Sequence, residues 1–281
     1  YRLVSLGLVL LSVLLSLAGC RQLTAPQQDQ KQQGKVKAMR IVSLTLSADE
    51  ILLSALPPER IIAVTYLADD PGVCNVVEQA KTIPNKLRAN AEAVIALHPD
   101  LVVVADWQGE GLIRALRDAG LRVYVYDAPN TVEGVEELIV SMLTETGDAE
   151  IGRQMAADMK AQLQDVRSRV GEVPIETQPV VLWHSLTGMS GGAGTLFDDM
   201  AKYAGVVNGA SKYGLKLSES MPKEAILKVD PDIILLPTWD WQGRGNVDAV
   251  KAELNNDPAL AGVQAIRNQR LPAIPEKYLY S

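Results

Sequence analysis

The sequence predicts an α/β protein of two Rossmann-like lobes with parallel sheets, joined by a single long helix and facing each other across a ligand cleft. Three observations predict it. Short β-branched runs alternate with helical patterns, as in strands linked by crossover helices. A helical stretch without proline, residues 147–170, divides that alternation into halves. The stretch "EAVIALHPDLVVVADWQG" at 92–109 returns 132 residues later as "EAILKVDPDIILLPTWDWQG" at 224–243, so each half carries one copy.

The first strand is read in "MRIVSL" at 39–44. Ser47 and Glu50 have capping-box spacing ahead of "ILLSAL", which predicts a helix starting just past the strand. Strands follow in "RIIAV" at 60–64 and "DLVVV" at 100–104, then a helix "EGLIRALRDAG" closed by Gly120, then a strand "RVYVY" at 122–126. This first α/β unit ends near Leu143, so residues 39–143 are assigned to the N-terminal lobe, 144–171 to the connecting helix and 172–281 to the C-terminal lobe. Within the connector, Ile151, Met155, Met159 and Leu163 recur every four residues and give one modest apolar stripe. Between two α/β units such a helix reads as a strut. The strand pattern restarts in "PVVLW" at 179–183. Thr195 and Asp198 then have capping spacing at the head of "GTLFDDMAKYAG", "DIILL" at 232–236 is the next strand, a helix is expected at 247–254, and "RLPAI" at 270–274 supplies a last strand.

Composition is that of a globular chain, 47% hydrophobic and 22% charged over 281 residues, long enough for two modest cores. Residues 3–18 form an apolar run behind Arg2 that closes in Leu17, Ala18, Gly19 and Cys20. The run is shorter than the about 20 residues of a spanning helix and reads as a signal peptide, residues 1–20. Its ending, "LAGC", resembles a bacterial lipobox, which implies that Cys20 becomes the first mature residue and carries a lipid. Residues 21–38 are Gln-rich with almost no large apolar side chain, and read as a flexible tether. Residues 22–38 alone span up to roughly 55 Å when extended. Loss of the segment before Cys20 removes one Arg and leaves 26 basic against 34 acidic side chains, a net charge of −8. With no basic stripe and no aromatics among Lys and Arg, nucleic acid is not the expected partner. Cys74 is then the one remaining thiol and reads as a packing residue.

The two copies of the repeat share Glu92 with Glu224, Ala93 with Ala225, Pro99 with Pro231, Asp100 with Asp232 and Trp107 with Trp239. Each reads as a short helix, a Pro-Asp turn, a buried strand and a Trp at the strand's carboxyl end, where open parallel sheets collect ligands. Trp107 and Trp239 are therefore expected on opposite walls of the cleft.

"RIVSLTLSADEILLSAL", "EAVIALHPDLVVVA", "SGGAGTLFDDMAKYAG" and "KEAILKVDPDIILL" resemble the substrate-binding proteins of ABC importers for metal chelates, from residue 39 onward. The resemblance implies a monomer that carries cobalamin, haem or a ferric siderophore to a permease dimer with its ATPase. It also implies that Glu92 and Glu224 dock into basic pockets of that permease; two distant carboxylates on one face give orientation and long-range steering. The family normally ends in a helix that packs back on the second lobe, whereas this chain stops at "EKYLYS" and opens on Tyr1 rather than an initiator methionine, so it is expected to be clipped at both ends.

The candidate ligand-binding residues, on loops at strand ends, are Tyr66, Trp107, Gln108, Tyr126, Asp127, His184, Trp239, Trp241 and Gln242. Wide aromatic faces with a few polar tips suit a large flat ligand. Anionic siderophores call for basic groups, for which Lys86, Arg88 and Arg244 are the nearest candidates. A corrinoid therefore leads, with haem close behind because Tyr66 offers a phenolate to iron. Two His residues make no cluster for a bare metal ion, and neither catalytic residues nor a resident cofactor are expected. "SGGAGT" at 190–195 lacks the Lys-Ser/Thr ending of a nucleotide loop and reads as a close-approach turn at the cleft edge. The competing class is an exported hydrolase using Ser185, His184 and Asp127. It has no Gly-x-Ser-x-Gly elbow, and adjacent extended residues point to opposite faces.

Overall fold

The computed structural model describes residues 35–184, 191–216, 219–239 and 246–279. Cys20, the signal peptide, most of the tether, Ser185, Trp241, Gln242 and Arg244 lie outside the described residues.

The first lobe runs β1 (Ile41–Ser43), α1 (Leu46–Ala55), β2 (Ile61–Thr65), α2 (Val77–Ala80), β3 (Asn85–Leu87), α3 (Ala91–Ala96), β4 (Leu101–Ala105), α4 (Glu110–Asp118), β5 (Val123–Tyr126) and α5 (Val132–Glu145). Its five strands are all parallel in the order β3-β2-β1-β4-β5. The strut is α6 (Ala149–Val170), 22 residues and about 33 Å long. The second lobe runs β6 (Val180–Trp183), α7 (Leu196–Tyr203), β7 (Val207–Asn208), α8 (Gly209–Tyr213), α9 (Lys223–Val229), β8 (Ile233–Pro237), α10 (Val247–Asn256), α11 (Gln264–Arg267) and β9 (Ala273–Ile274), a parallel sheet in the order β7-β6-β8-β9.

Strands covered on both faces by helices need no polar face, which is why these runs are continuously apolar. Their alternate residues enter different cores. Leu101, Val103 and Ala105 pack with Leu52 and Met142, while Val102 and Val104 pack with Val94 and Leu116. In the second lobe Leu182, Ile234 and Leu236 pack with Leu254 and Ile266, whereas Val181 and Trp183 face Phe197.

The repeated Pro-Asp turn does the same work in both lobes. His98 (φ 47°) and Asp230 (φ 46°) reverse the chain in the left-handed region just before each proline. The Asp100 carboxylate then accepts the N–H groups of Met39 (2.8 Å) and Arg40 (3.0 Å) at the entry to β1. Asp232 accepts the Val180 N–H (2.8 Å) at the entry to β6. Each Asp also donates its own N–H to the same neighbouring segment, Asp100 to Arg40 O and Asp232 to Val180 O. The motif thus sets the register of one parallel strand pair per lobe, Ile41 beside Leu101 and Val181 beside Ile233.

Two expectations are corrected. The first helix is capped by Thr45, whose extended backbone leaves its Oγ1 to accept the Ala48 N–H, and Ser47 lies inside the helix rather than at its head. The strut's apolar stripe is also only partly as expected, with Met155 and Met159 on the first lobe's core. Ile151 is exposed, and the contact with the first lobe is made by Gly152, Met155, Ala156 and Met159. Gly152 permits close packing, since a Cβ there would sit 3.0 Å from Leu143 Cβ. Thr195 caps α7 as expected, accepting the Asp198 N–H at 3.1 Å. In the glycine-rich turn Gly192 passes so close to Leu215 that a Cβ would lie 2.5 Å from its carbonyl oxygen.

Candidate functional site

The carboxyl ends of β1, β2, β4 and β5 form one rim, and those of β6, β8 and β9 form another. Hydrogen bonds cross between them. The Trp239 indole N–H, just past β8, donates to Asp70 Oδ2 (2.7 Å), and the other Asp70 oxygen accepts the Gly72 N–H (2.8 Å). Gly72 makes room for the indole, because a Cβ would stand 2.6 Å from Trp239 Cδ1. Beyond β9, the Lys277 N–H donates to Gly72 O (3.2 Å) and Asn75 Nδ2 donates to Lys277 O (2.8 Å). Elsewhere along the junction the first N–H of α5, on Val132, donates to Asp199 Oδ2 of α7 (3.0 Å). Burial raises the Asp199 pKa, but the Val132 N–H and the Lys202 ammonium outweigh it and hold the carboxyl below its ordinary range. The two carboxyl edges therefore face each other, with the β2 side of one lobe against the β8–β9 side of the other.

A family description, periplasmic binding protein, matches residues 41–278. The chain belongs to the periplasmic binding protein family. It is 23% identical over 205 residues to the cobalamin-binding protein of Halobacterium salinarum, covering 69% of this chain and 55% of that one. It is 31% identical over 138 residues to the vitamin B12-binding protein of Vibrio campbellii, covering 47% of each. The match thus spans about half the length of these curated relatives (55% and 47%). Among solved structures, the apo form of the periplasmic heme-binding protein RhuT from a Roseiflexus species superposes with a TM-score of 0.73 at 25% identity, over 86% of this chain and 91% of that one.

In this periplasmic binding protein the predicted residues have different surroundings. Trp107 stands on a short 3-10 turn (Asp106–Gln108) directly after β4 and is 67% exposed. Tyr66 opens the 3-10 turn after β2 and is 37% exposed. Asp127, after β5, is exposed. Gln108 is tied to the backbone, its Nε2 donating to Leu44 O (2.6 Å) and its Oε1 accepting the Ala105 N–H (3.3 Å). Tyr126 is buried with its hydroxyl 2.6 Å from Thr45 Oγ1, and burial pushes its pKa up. His184 is half-buried, and its backbone N–H continues the ladder to Leu235 O (3.0 Å). Burial pushes its imidazole pKa down, only partly opposed by Glu253, which favours the neutral ring.

Beneath the β1 and β2 edge, Asp49 is fully buried and accepts the Thr65 N–H (3.0 Å) and hydroxyl (2.5 Å); burial pushes its pKa up to about 7. It braces the end of β2 from which Tyr66 projects. Cys74 is buried, with its pKa raised to about 11 by burial, and is a packing thiol. Among the described residues no group of three His, Cys, Asp or Glu side chains is placed to hold a metal ion.

Glu92 and Glu224 are exposed, each in the first turn of the helix that precedes a Pro-Asp turn. Neither forms an ion pair among the described residues. A crossover helix runs back against its strands, so these first turns lie toward the carboxyl edges, the cleft side of each lobe. Two concavities lie at the opposite, amino edges. One of about 590 Å³ is lined by Arg167, Val170, Val173, Lys202 and Tyr203 where the strut ends, and one of about 440 Å³ by Arg40, Glu59, Ile62, Pro84 and Leu97. Open α/β sheets do not use that edge for ligands.

Asp70, Gly72, Asn75 and Lys277, which join the lobes, carry no mark in the sequence. Asp70 and Trp239 are 169 residues apart, and nothing local to either anticipates their meeting.

Proposed function

We propose that this chain is the extracytoplasmic substrate-binding protein of an ABC importer, capturing a metal chelate, most specifically a corrinoid, and handing it to the permease without chemical change. The observation that carries the reading is the pair of parallel-sheet lobes whose carboxyl edges face each other across one strut, with the Trp107 indole left exposed at that edge. A flat chelate suits such a site because an indole supplies a wide apolar face at low entropic cost. The names of the curated relatives favour the corrinoid. Haem is the second reading, favoured by the partly exposed Tyr66 phenol at the same edge; a ferric siderophore belongs to the same class. Trp241 and Gln242 complete the proposed ligand set. Lipid on Cys20 and the tether at 21–38 would hold the lobes near the permease, with Glu92 and Glu224 as its docking contacts. No helix among the described residues is long and apolar enough to cross a membrane, so attachment through the lipid is the proposed mode.

The test is a tryptophan-fluorescence titration of the purified chain with cyanocobalamin, haemin and several ferric siderophores. Saturable quenching by cyanocobalamin at one site is expected. Quenching by a charged siderophore alone would remove the corrinoid preference, and hydrolysis of an ester substrate lost in Ser185→Ala would overturn the binding-protein reading.

A further inference from the structure

Strands β2 and β3 pair in parallel with Thr65 beside Leu87. The next residue of each, Tyr66 and Arg88, therefore leaves the sheet side by side at the carboxyl edge. There the Arg88 guanidinium carbon lies over the Tyr66 ring, 3.7 Å from its centroid, a cation–π pair. Arg88 is exposed, and among the described residues it has neither an ion pair nor a hydrogen-bonded acceptor. Its neighbour differs: Lys86 is neutralised by Asp69 and also donates to Ala80 O (2.8 Å). The edge thus carries one cation that is occupied and one held over an aromatic face with no acceptor on its N–H groups among the described residues.

A guanidinium in that state is matched to a planar or tetrahedral oxyanion, which takes two parallel N–H donors. Contact with the Tyr66 ring limits the rotamers of Arg88, so less entropy is lost when the oxyanion arrives. We propose that Arg88, oriented by Tyr66, binds an anionic oxygen group on the periphery of the captured chelate. Tyr66 then acts as the seat of that cation, with the Arg88 side of its ring closed to ligand stacking. The proposal rests on the chelate-binding reading above. The oxyanion has two chemical sources, a phosphodiester as in the nucleotide arm of a cobalamin, or a carboxylate as in the propionates of haem.

The experiment titrates the whole chain with four probes: cyanocobalamin, dicyanocobinamide, which lacks the phosphodiester, haemin, and haemin dimethyl ester, which lacks free carboxylates. Arg88→Gln is compared with the parent chain, and Tyr66→Leu tests the cation–π pair; thermal unfolding confirms that both exposed substitutions leave the fold intact. The expected result is a roughly 10- to 100-fold weaker Kd for the anionic member of the bound pair in Arg88→Gln, the size of one lost charge-assisted contact. Its neutral partner is expected to bind both proteins equally; Tyr66→Leu, which also removes a proposed ligand contact, is expected to weaken both members of the pair, the anionic member by the larger factor. An effect confined to the cobalamin pair assigns the phosphodiester, and one confined to the haemin pair assigns the carboxylate. Equal loss for both members of a pair, or no loss for either while the parent chain binds them, overturns the role of Arg88. If the parent chain binds none of the four, the corrinoid and haem readings fail first and take this assignment with them.

Discussion

Asp148→Ala is expected to lower the unfolding free energy by about 3–5 kcal/mol, the loss found when one partner of a buried ion pair is removed. Asp148 Oδ2 lies 2.7 Å from Arg60 Nη2, and the two side chains are only 3% and 4% exposed. Arg60 also donates to Ala38 O (2.7 Å) and Thr146 O (3.0 Å), while Thr146 Oγ1 and Lys37 Nζ approach the Asp148 carboxylate at 2.8 and 3.2 Å. The cluster joins the chain entering β1, the start of β2 and the head of the strut. Arg60 Nη1 already lacks a hydrogen-bond partner among the described residues, so loss of the carboxylate strands a buried charge. Burial pushes the Asp148 pKa up, but the bonds from Arg60, Thr146 and Lys37 outweigh it and the carboxyl ends below its ordinary range. A depressed carboxyl contributes stability above its unfolded pKa and loses it as pH falls through the folded value. The gap between parent and variant is therefore expected in full at pH 7 and to shrink below about pH 4. Urea unfolding at the two pH values measures it. Because the cluster sits at the amino edge of the first sheet, the chelate Kd of the folded variant is expected to be unchanged.

The second large effect belongs to delivery. Glu92→Lys combined with Glu224→Lys is expected to abolish uptake in proteoliposomes holding the permease and its ATPase, while leaving chelate affinity within about twofold. The two carboxylates occupy the same position in each lobe, in the exposed first turn of α3 and of α9. One carboxylate on each lobe sets the orientation of an encounter rather than its contact area, so each reversal alone is expected to slow uptake and the pair to stop it. Transport that survives the double change would remove the docking role and leave only the favourable effect of a carboxylate at a helix start.

The doubled stretch made much of the fold legible, because the same residues perform the same local task twice. Asp100 and Asp232 each close the entry of a neighbouring strand, and such a task depends on residues a few positions apart. Strand β3 was not visible because its three residues, Asn-Lys-Leu, owe their conformation to pairing with β2 rather than to any pattern of their own. Strand β7 has only two residues, too few to alternate. The sequence places the cap of α1 two positions late because Thr45 and Ser47 are chemically alike as caps, and only the extended backbone of Thr45 decides between them. The site is less legible in the sequence. Residue type placed Tyr66 and Trp107 at the carboxyl edge, but not the hydrogen bonds that fasten Gln108, Tyr126 and Trp239 to Leu44, Thr45 and Asp70.

Amide hydrogen exchange of the whole chain with and without a saturating chelate tests most directly whether the ligand lies between the lobes. Protection is expected on both carboxyl edges at once, at residues 65–76 and 105–110 of the first lobe and around 184 and 237–239 of the second. Protection confined to one lobe, or appearing instead at the strut's end around Val170, Val173 and Tyr203, would contradict a cleft shared by the two lobes.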